Sequence, residues 1–448
     1  MQMKRLLAVT GLLSAAALGL TACGGSATPA ATTGSSKAVE SKPSTDSGKG
    51  EVVEIEYLHR LPDGEGMTKV ADIVAQWNAE HPEIQVKSTK FDGKAPEMIA
   101  KLEQQVSANS APCLAQVGYG EAPELFVKGL LEDVTSEAEK YKDKFSGAYG
   151  QMSVGGTMVG LPQDTGPLIY MYNEAEFAKL GITVPTTSDE LLAAAKTAAA
   201  AGKYILDFET DEMGYWMSAQ AASAGAVWYT AKDEKWVVDT ADAKTAVVAD
   251  FWQQALDAKA TLTLPRWTDE YDKALVDGTL IGNIAPAWEV GFALDKLDGT
   301  PAEGQWRVAL LPTFGGSAMT GPDGGSGVAV MKGCAHKAEA MEFNAWFNTQ
   351  IDALASQGLL PAAKGSVSTP EKTLKQFGNQ DVFKVLSEAN GQLAPEWGYI
   401  PGFSAVGPRM NEKATEVAAG TAKVVDIFTV AKEVSVQSLK DAGLPVAE

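Results

Sequence analysis

The sequence predicts an α/β architecture with a parallel sheet, spread over two lobes. Two observations carry the prediction. From Val52 to Val117, short β-branched runs alternate with amphipathic stretches of helical period, the pattern of consecutive strand–helix–strand units. The body beyond the N-terminal segments is about 400 residues, more than one compact core usually holds, so two lobes or domains are expected.

The elements follow in chain order. Residues 52–58 (VVEIEYL) read as a strand, and the loop His59-Arg60-Leu61-Pro62-Asp63-Gly64 follows. Residues 66–80 fit a helix, with Val70, Ile73, Val74 and Trp77 on one face, and His81-Pro82 stops it. Residues 84–86 start a second strand, and 96–108 form a helix with Ile99, Leu102 and Val106 inward. Residues 113–117 are a third strand and 123–129 a short helix. Further strands are expected at 157–162, 168–172, 282–287, 308–311 and 327–331. Helices are expected at 174–180, 188–201, 241–259 and 335–348, with Ser188-Asp189-Glu190 opening the second of these. The C-terminal stretch is mainly helical, interrupted by a loop at 391–407 rich in aromatics, Gly and Pro.

The N-terminus has its own logic. Lys4 and Arg5 precede an apolar stretch from Leu6 to Leu20, which is short of the roughly 20 apolar residues a membrane span needs. It ends Leu20-Thr21-Ala22-Cys23, which resembles the bacterial lipobox, so residues 1–22 are expected to be a signal peptide and Cys23 the lipidated first residue. Acyl chains bury about 0.8 kcal/mol per CH₂ and hold a protein at a membrane face. Residues 24–50 are Gly, Ser, Thr, Ala and Pro with almost no large apolar side chain, a composition that behaves as a flexible tether. With Cys23 as its anchor, the linker runs over 23–50. The expected location is the outer face of the cytoplasmic membrane.

Composition excludes several function classes. Loss of Lys4 and Arg5 with the signal takes the formal charge from −20 to −22, a poor match for nucleic acid or anionic lipid. Three histidines without a close His/Cys cluster argue against zinc. The mature chain has no phosphate-binding Gly-rich motif and no nucleophile-elbow motif, so neither metal nor cofactor is expected. Two cysteines, Cys113 and Cys334, remain in an oxidising compartment, where a pair usually bridges.

A resemblance to a known family runs over about residues 51–440. Trp77-Asn78-Ala79-Glu80-His81-Pro82-Glu83-Ile84 resembles a helix-to-strand signature. Gly129-Leu130-Leu131-Glu132-Asp133 resembles "G-x-L-x-D-L". Gly160-Leu161-Pro162 with Tyr172-Asn173, then Phe177 and Leu180-Gly181-Ile182, resembles "Y-G-L-P … Y-Y-N … F-x-K-x-G-I". Pro185 to Leu191 resembles "P-P-x-T-W-D-E-L", and Asp277-Gly278 with Trp288 resembles the "G-x-A … G-x-W" segment. These are motifs of extracellular solute-binding proteins that serve carbohydrate ABC importers, the family of maltose-binding protein. The chain departs at Pro112-Cys113-Leu114, where the family often has Pro-Asp-Val, and at Ser188, where it has Trp.

The resemblance implies a two-lobe periplasmic-binding-protein fold of type II with ligand between lobes joined by crossover strands. The first lobe would hold 51–164 and 312–350, the second 165–311 and 351–448. In that topology the strand returning to the first lobe runs antiparallel beside the third strand, which brings Cys113 and Cys334 to one edge and implies a disulfide. Open α/β sheets bind ligands at the carboxyl ends of their strands. This selects His59, Arg60, Tyr119 and Asp164 in the first lobe. In the second it selects the pair Tyr215-Trp216 (of which Trp216 is taken), Trp228, Trp288, Glu289 and Tyr399. Gly325 precedes the returning strand, where backbone can approach a ligand. Aromatic faces stack on the apolar face of a pyranose, and carboxylates and Arg bond its hydroxyls.

The function implied is capture of a mono- or oligosaccharide by lobe closure and delivery to an ABC permease, by a monomer that makes and breaks no bond. Two other readings fit the same residues: a binding protein for a polyamine, peptide or phosphate ester, or a glycoside hydrolase using Asp164 and Glu289.

Overall fold

A computed structural model describes residues 52–447 apart from 146, 317 and 396. The signal peptide, Cys23 and the linker expected at 23–50 lie outside the described residues.

The first sheet is built as the alternation predicts. Strand Val53–His59 pairs in parallel with Ile84–Lys90 on one side and Leu114–Gly118 on the other. The returning strand Ser326–Val330 runs antiparallel to Leu114–Gly118, and Gly160–Pro162 closes the far edge, also antiparallel to it. Helix Val70–Glu80 packs on this sheet through Val70, Ile73, Val74 and Trp77, the expected stripe. It starts four residues later than predicted. Gly66 takes a left-handed backbone (φ 76°), and Asp63 Oδ1 accepts the amide of Val70 at 2.9 Å, which fixes the start there. Indole Trp77 stacks on His81 at 3.6 Å where the chain leaves the helix.

A disulfide joins Cys113 to Cys334, with Cα atoms 4.8 Å apart. It links positions 221 residues apart where the third and returning strands of the first sheet meet, and a disulfide typically contributes roughly 2–4 kcal/mol.

The second sheet has strand Leu168–Asn173 at its centre, flanked antiparallel by Gly282–Pro286 and Trp306–Leu310. Alternate side chains enter two cores. Leu168, Tyr170 and Ile284 face one with Trp216, Trp228 and Trp252, while Ile169, Met171 and Val308 face another with Phe377 and Leu386. Helix Ser188–Ala200 is capped by Thr187, whose Oγ1 accepts the amide of Glu190. A hairpin, Tyr229–Lys232 and Lys235–Val238, was not predicted. Its turn residues Asp233 and Glu234 both have positive φ, without the glycine that usually signals such a turn. Trp236 of this hairpin bridges to the C-terminal tail: its amide donates to Pro445 O at 2.9 Å and its carbonyl accepts from Ala447 at 2.7 Å.

Three segments cross between the sheets. Asp164–Thr165 pairs antiparallel with Leu360–Pro361. Pro167 bridges Pro322, and the amide of Asp323 donates to Gly166 O at 2.7 Å. Gly166 is required here because a Cβ would sit 2.1 Å from Asp323 O. The segment 351–357, expected in the second lobe, touches both halves: Ala355 packs in a core of the second sheet, while the Ser356 hydroxyl accepts the Thr68 amide at 2.9 Å. Gln357 donates to Asp63 Oδ1 at 2.8 Å and to Thr68 O at 2.6 Å, and its Oε1 accepts the Asp63 amide.

Candidate functional site

Between the two sheets lies a cleft of about 1150 Å³. One wall carries Lys94, Ile99, Glu121 and Glu124. The other carries Glu212, Tyr215, Arg266, Trp267, Phe403 and Asn411. A smaller cavity of about 260 Å³ lies beside the crossovers, lined by Tyr119, Thr165, Gly324 and Asn390.

On the first wall, Arg60 follows the first strand and forks onto Glu121, with Nη1 and Nη2 donating at 3.0 and 3.1 Å. The Gly118 amide donates to the same carboxylate at 2.7 Å, so Glu121 is held rigidly in the cleft lining. His59 turns the other way. It is buried beside Tyr57 at 5.5 Å, and burial lowers its imidazole to about 4, so it is neutral at pH 7 and packed inside the lobe. Tyr119 is buried against the crossover and donates to Asp164 O at 2.7 Å. Gly325, at φ 85°, makes room for that ring: a Cβ would come within 2.8 Å of Tyr119 Cε2.

Asp164 is committed to the fold. Its Oδ1 accepts the amide of Ser326 at 2.8 Å and the hydroxyl of Ser326 at 2.5 Å, tying the first crossover to the returning strand. Burial pushes the carboxyl up to about 6 against those two donors.

In the second lobe, Trp216 and Trp228 are core residues with no surface toward the cleft. Their indole N–H groups are satisfied internally, by Ile284 O at 3.1 Å and Thr245 Oγ1 at 3.0 Å. Tyr215 is the residue of that segment that faces the cleft. A single π-helical turn, Met213–Met217, brings its hydroxyl against Gly120 of the first lobe, where a Cβ would stand 2.6 Å from it. Tyr399 packs on Tyr215 at 5.5 Å and donates to Pro322 O at 3.1 Å.

Arg266 organises the remainder. Its guanidinium is fully buried and meets three carboxylates: Glu289 at 2.5 Å, Glu212 at 3.0 Å and Glu209 at 3.6 Å. Asn283 supports Glu209 by donating at 2.7 Å. Burial raises Glu209 and Glu289, with Arg266 opposing it in both. Both indoles that flank Arg266, Trp267 and Trp288, have ring centres 5.3 Å from the guanidinium carbon. Trp288 is half-buried, and its Nε1 donates to Asp323 O at 3.0 Å.

Trp267 is different. It is 44% exposed on the cleft wall. Its backbone is left-handed (φ 64°), which a bulky residue adopts only when its surroundings enforce it. The enforcement is visible: the Arg266 amide donates to Asp211 Oδ1 at 2.8 Å on one side. On the other, Thr268 caps helix Asp269–Val276. Phe292 packs on the indole at 5.2 Å. Of the pair Tyr215-Trp216, the residue not taken is the one that faces the cleft, and Arg266, Glu212 and Trp267 were not selected from the sequence. Neither was Asp323, buried on the second crossover next to Trp288, whose carboxyl is raised to about 8 by burial and by nearby Glu212 and Glu289.

Comparison with known proteins follows this geometry. Residues 62–350 match the family model of bacterial extracellular solute-binding proteins. The chain belongs to that family. Among solved structures, this solute-binding protein is similar to the galacto-N-biose-/lacto-N-biose I-binding protein of the ABC transporter from Bifidobacterium longum. The identity is 53% and the TM-score 0.86, over 89% of this chain and 100% of the other. It also resembles the ABC transporter-associated binding protein from B. animalis subsp. lactis Bl-04 in complex with β-1,6-galactobiose, at 24% identity and TM-score 0.74, covering 89% and 100%. The sugar-binding protein MalE from Xanthomonas citri matches at 17% identity and TM-score 0.70, covering 87% and 98%. The last two likenesses speak for the fold. Comparison with curated proteins gave no match.

Proposed function

We propose that this chain captures a neutral disaccharide between its lobes and delivers it to the permease of an ABC importer. The ligand class is a galactosyl–N-acetylhexosamine of the kind named for the relative from Bifidobacterium longum. The observation that carries the reading is the Trp267 indole, exposed on the cleft wall in an enforced conformation beside the Arg266–carboxylate array. That is an aromatic platform next to charge-assisted hydrogen-bond groups, the pair of features a pyranose needs. Identity of 53% over 89% of this chain to a sugar-binding relative supports it. Closure follows from binding the closed form better than the open one, and no bond is made or broken. The lobes comprise 51–164 with 312–350 and 165–311 with 351–448, and the protein acts as a monomer.

Titration calorimetry and thermal shift with lacto-N-biose, galacto-N-biose, β-1,6-galactobiose, maltose, spermidine and a short peptide test the reading. At a hundred times its dissociation constant, a true ligand stabilises by about 2.7 kcal/mol. Lacto-N-biose or galacto-N-biose should bind and be recovered unchanged. Stabilisation by the amine or peptide alone would sink the carbohydrate assignment, and consumption of the sugar would make the protein an enzyme.

The chain is held at the outer membrane face by acylation of Cys23. The motif Leu20-Thr21-Ala22-Cys23 and the short apolar stretch before it support this. In cells fed labelled fatty acid, the protein should carry label, and Cys23→Ala should remove it and release the chain to the medium. Label that survives the substitution contradicts the anchor.

A further inference from the structure

Two carboxylates ride on the crossovers, and their surroundings differ. Asp164 has its hydrogen-bond donors within the protein, both from Ser326. Asp323 has its backbone pinned on both sides: its amide donates to Gly166 O at 2.7 Å and its carbonyl accepts from Trp288 Nε1 at 3.0 Å. Its side chain is 2% exposed, and Oδ2 has no hydrogen-bond partner among the described residues. Buried polar atoms are rarely left so, and one that is calls for an explanation. The nearby cation does not supply it, because Arg266 is already shared by Glu209, Glu212 and Glu289. The charged and titratable groups facing Asp323 are Arg266, Glu212, Glu289, Tyr215 and Tyr399. Its neighbours Pro322 and Gly324 line the smaller cavity, while Tyr215, Arg266 and Glu212, which face it electrostatically, line the larger.

We propose that Asp323 is a ligand-contacting, specificity-determining residue whose carboxyl bonds hydroxyl or amide N–H groups of the captured sugar. The assignment rests on the carbohydrate reading above and sharpens it. A rigid backbone holds a carboxyl whose Oδ2 has no partner among the described residues, and the bound sugar supplies one. Faced by two further carboxylates, Glu212 and Glu289, and one guanidinium, this position favours a neutral, donor-rich sugar and disfavours one that carries a carboxylate.

The test compares wild type with Asp323→Asn, which keeps shape and removes an acceptor, and with Asp323→Ser. Each is titrated with lacto-N-biose, galacto-N-biose and a sialylated counterpart, and each is melted without sugar. The proposal expects wild type to bind a neutral disaccharide at least tenfold more tightly than the sialylated one. It expects both variants to lose at least tenfold in affinity, with sugar-free melting temperatures equal to or above wild type. Removing an unsatisfied carboxyl relieves the empty protein, whereas removing a structural one would weaken it. Unchanged affinity in the variants overturns the proposal while leaving the carbohydrate reading intact. A melting temperature that falls by several degrees also overturns it, because the role is then structural. A wild type that binds none of the sugars overturns both readings.

Discussion

Arg266→Met should be the most damaging single substitution in the cleft. It leaves Glu289, Glu212 and Glu209 clustered without the cation they share, two of them fully buried. Breaking a buried ion pair from one side costs roughly 3–5 kcal/mol, because the remaining charge is stranded in a poor solvent. The loss should carry over to binding, since Trp267 and Trp288 both pack on that guanidinium. The pH dependence has a definite sign. Burial already raises Glu209 and Glu289, and without Arg266 both rise further. A carboxyl raised in the folded state favours the fold when protonated, so stability is lost as pH rises and regained as it falls. The gap between variant and wild type should narrow between pH 8 and pH 5.5 in chemical denaturation. A gap under about 1 kcal/mol, or one independent of pH, would show that the array contributes little.

Gly166→Ala should come next, and it acts on the crossovers. Its Cβ would lie 2.1 Å from the carbonyl oxygen of Asp323 and 3.4 Å from the amide of Gly325, and both neighbours are backbone. Neither can rotate away, so the two crossover segments must separate. The Asp323-to-Gly166 hydrogen bond and the Pro167–Pro322 bridge lie in the path of that separation. Overpacking of this kind costs about 1–3 kcal/mol. Affinity for sugar should fall about tenfold or more, equivalent to roughly 1.4 kcal/mol, because the displaced segment carries Asp323 and the carbonyl that holds Trp288. Gly150→Ala is the matched control, since a Cβ there meets nothing within 4 Å and the backbone has no left-handed requirement. Equal affinity in Gly166→Ala and Gly150→Ala would show that the crossovers tolerate displacement.

The frame was legible because it is written in periodicity. Val70, Ile73, Val74 and Trp77 repeat at helical spacing, and the first strand shows its face in Ile55 and Tyr57. The site was less legible, and for physical reasons that differ by residue. Choosing Trp216 over Tyr215 was a matter of phase: a π-helical turn decides which of two adjacent aromatics faces out, and its extra residue per turn leaves no mark in composition. Asp164 drew attention by its place at a strand end, yet its role is set by Ser326, a donor 162 residues away. Trp267 sits in a loop between Pro265 and Thr268 and owes its exposure to a backbone angle its neighbours impose. Arg266 matters through three carboxylates dispersed from 209 to 289, a convergence that only the folded chain creates. Gly325 was noticed for its freedom, but the carboxylate two residues before it was not.

The placement of the two described ends has a practical consequence. Val53 opens the first strand of one sheet, whereas Val446 is clasped by Trp236 in a hairpin belonging to the other half. Dyes attached beside these residues would ride on opposite jaws of the molecule. Energy transfer between them would then report the hinge angle directly, turning sugar uptake into an optical signal that needs no fusion partner and leaves the cleft untouched.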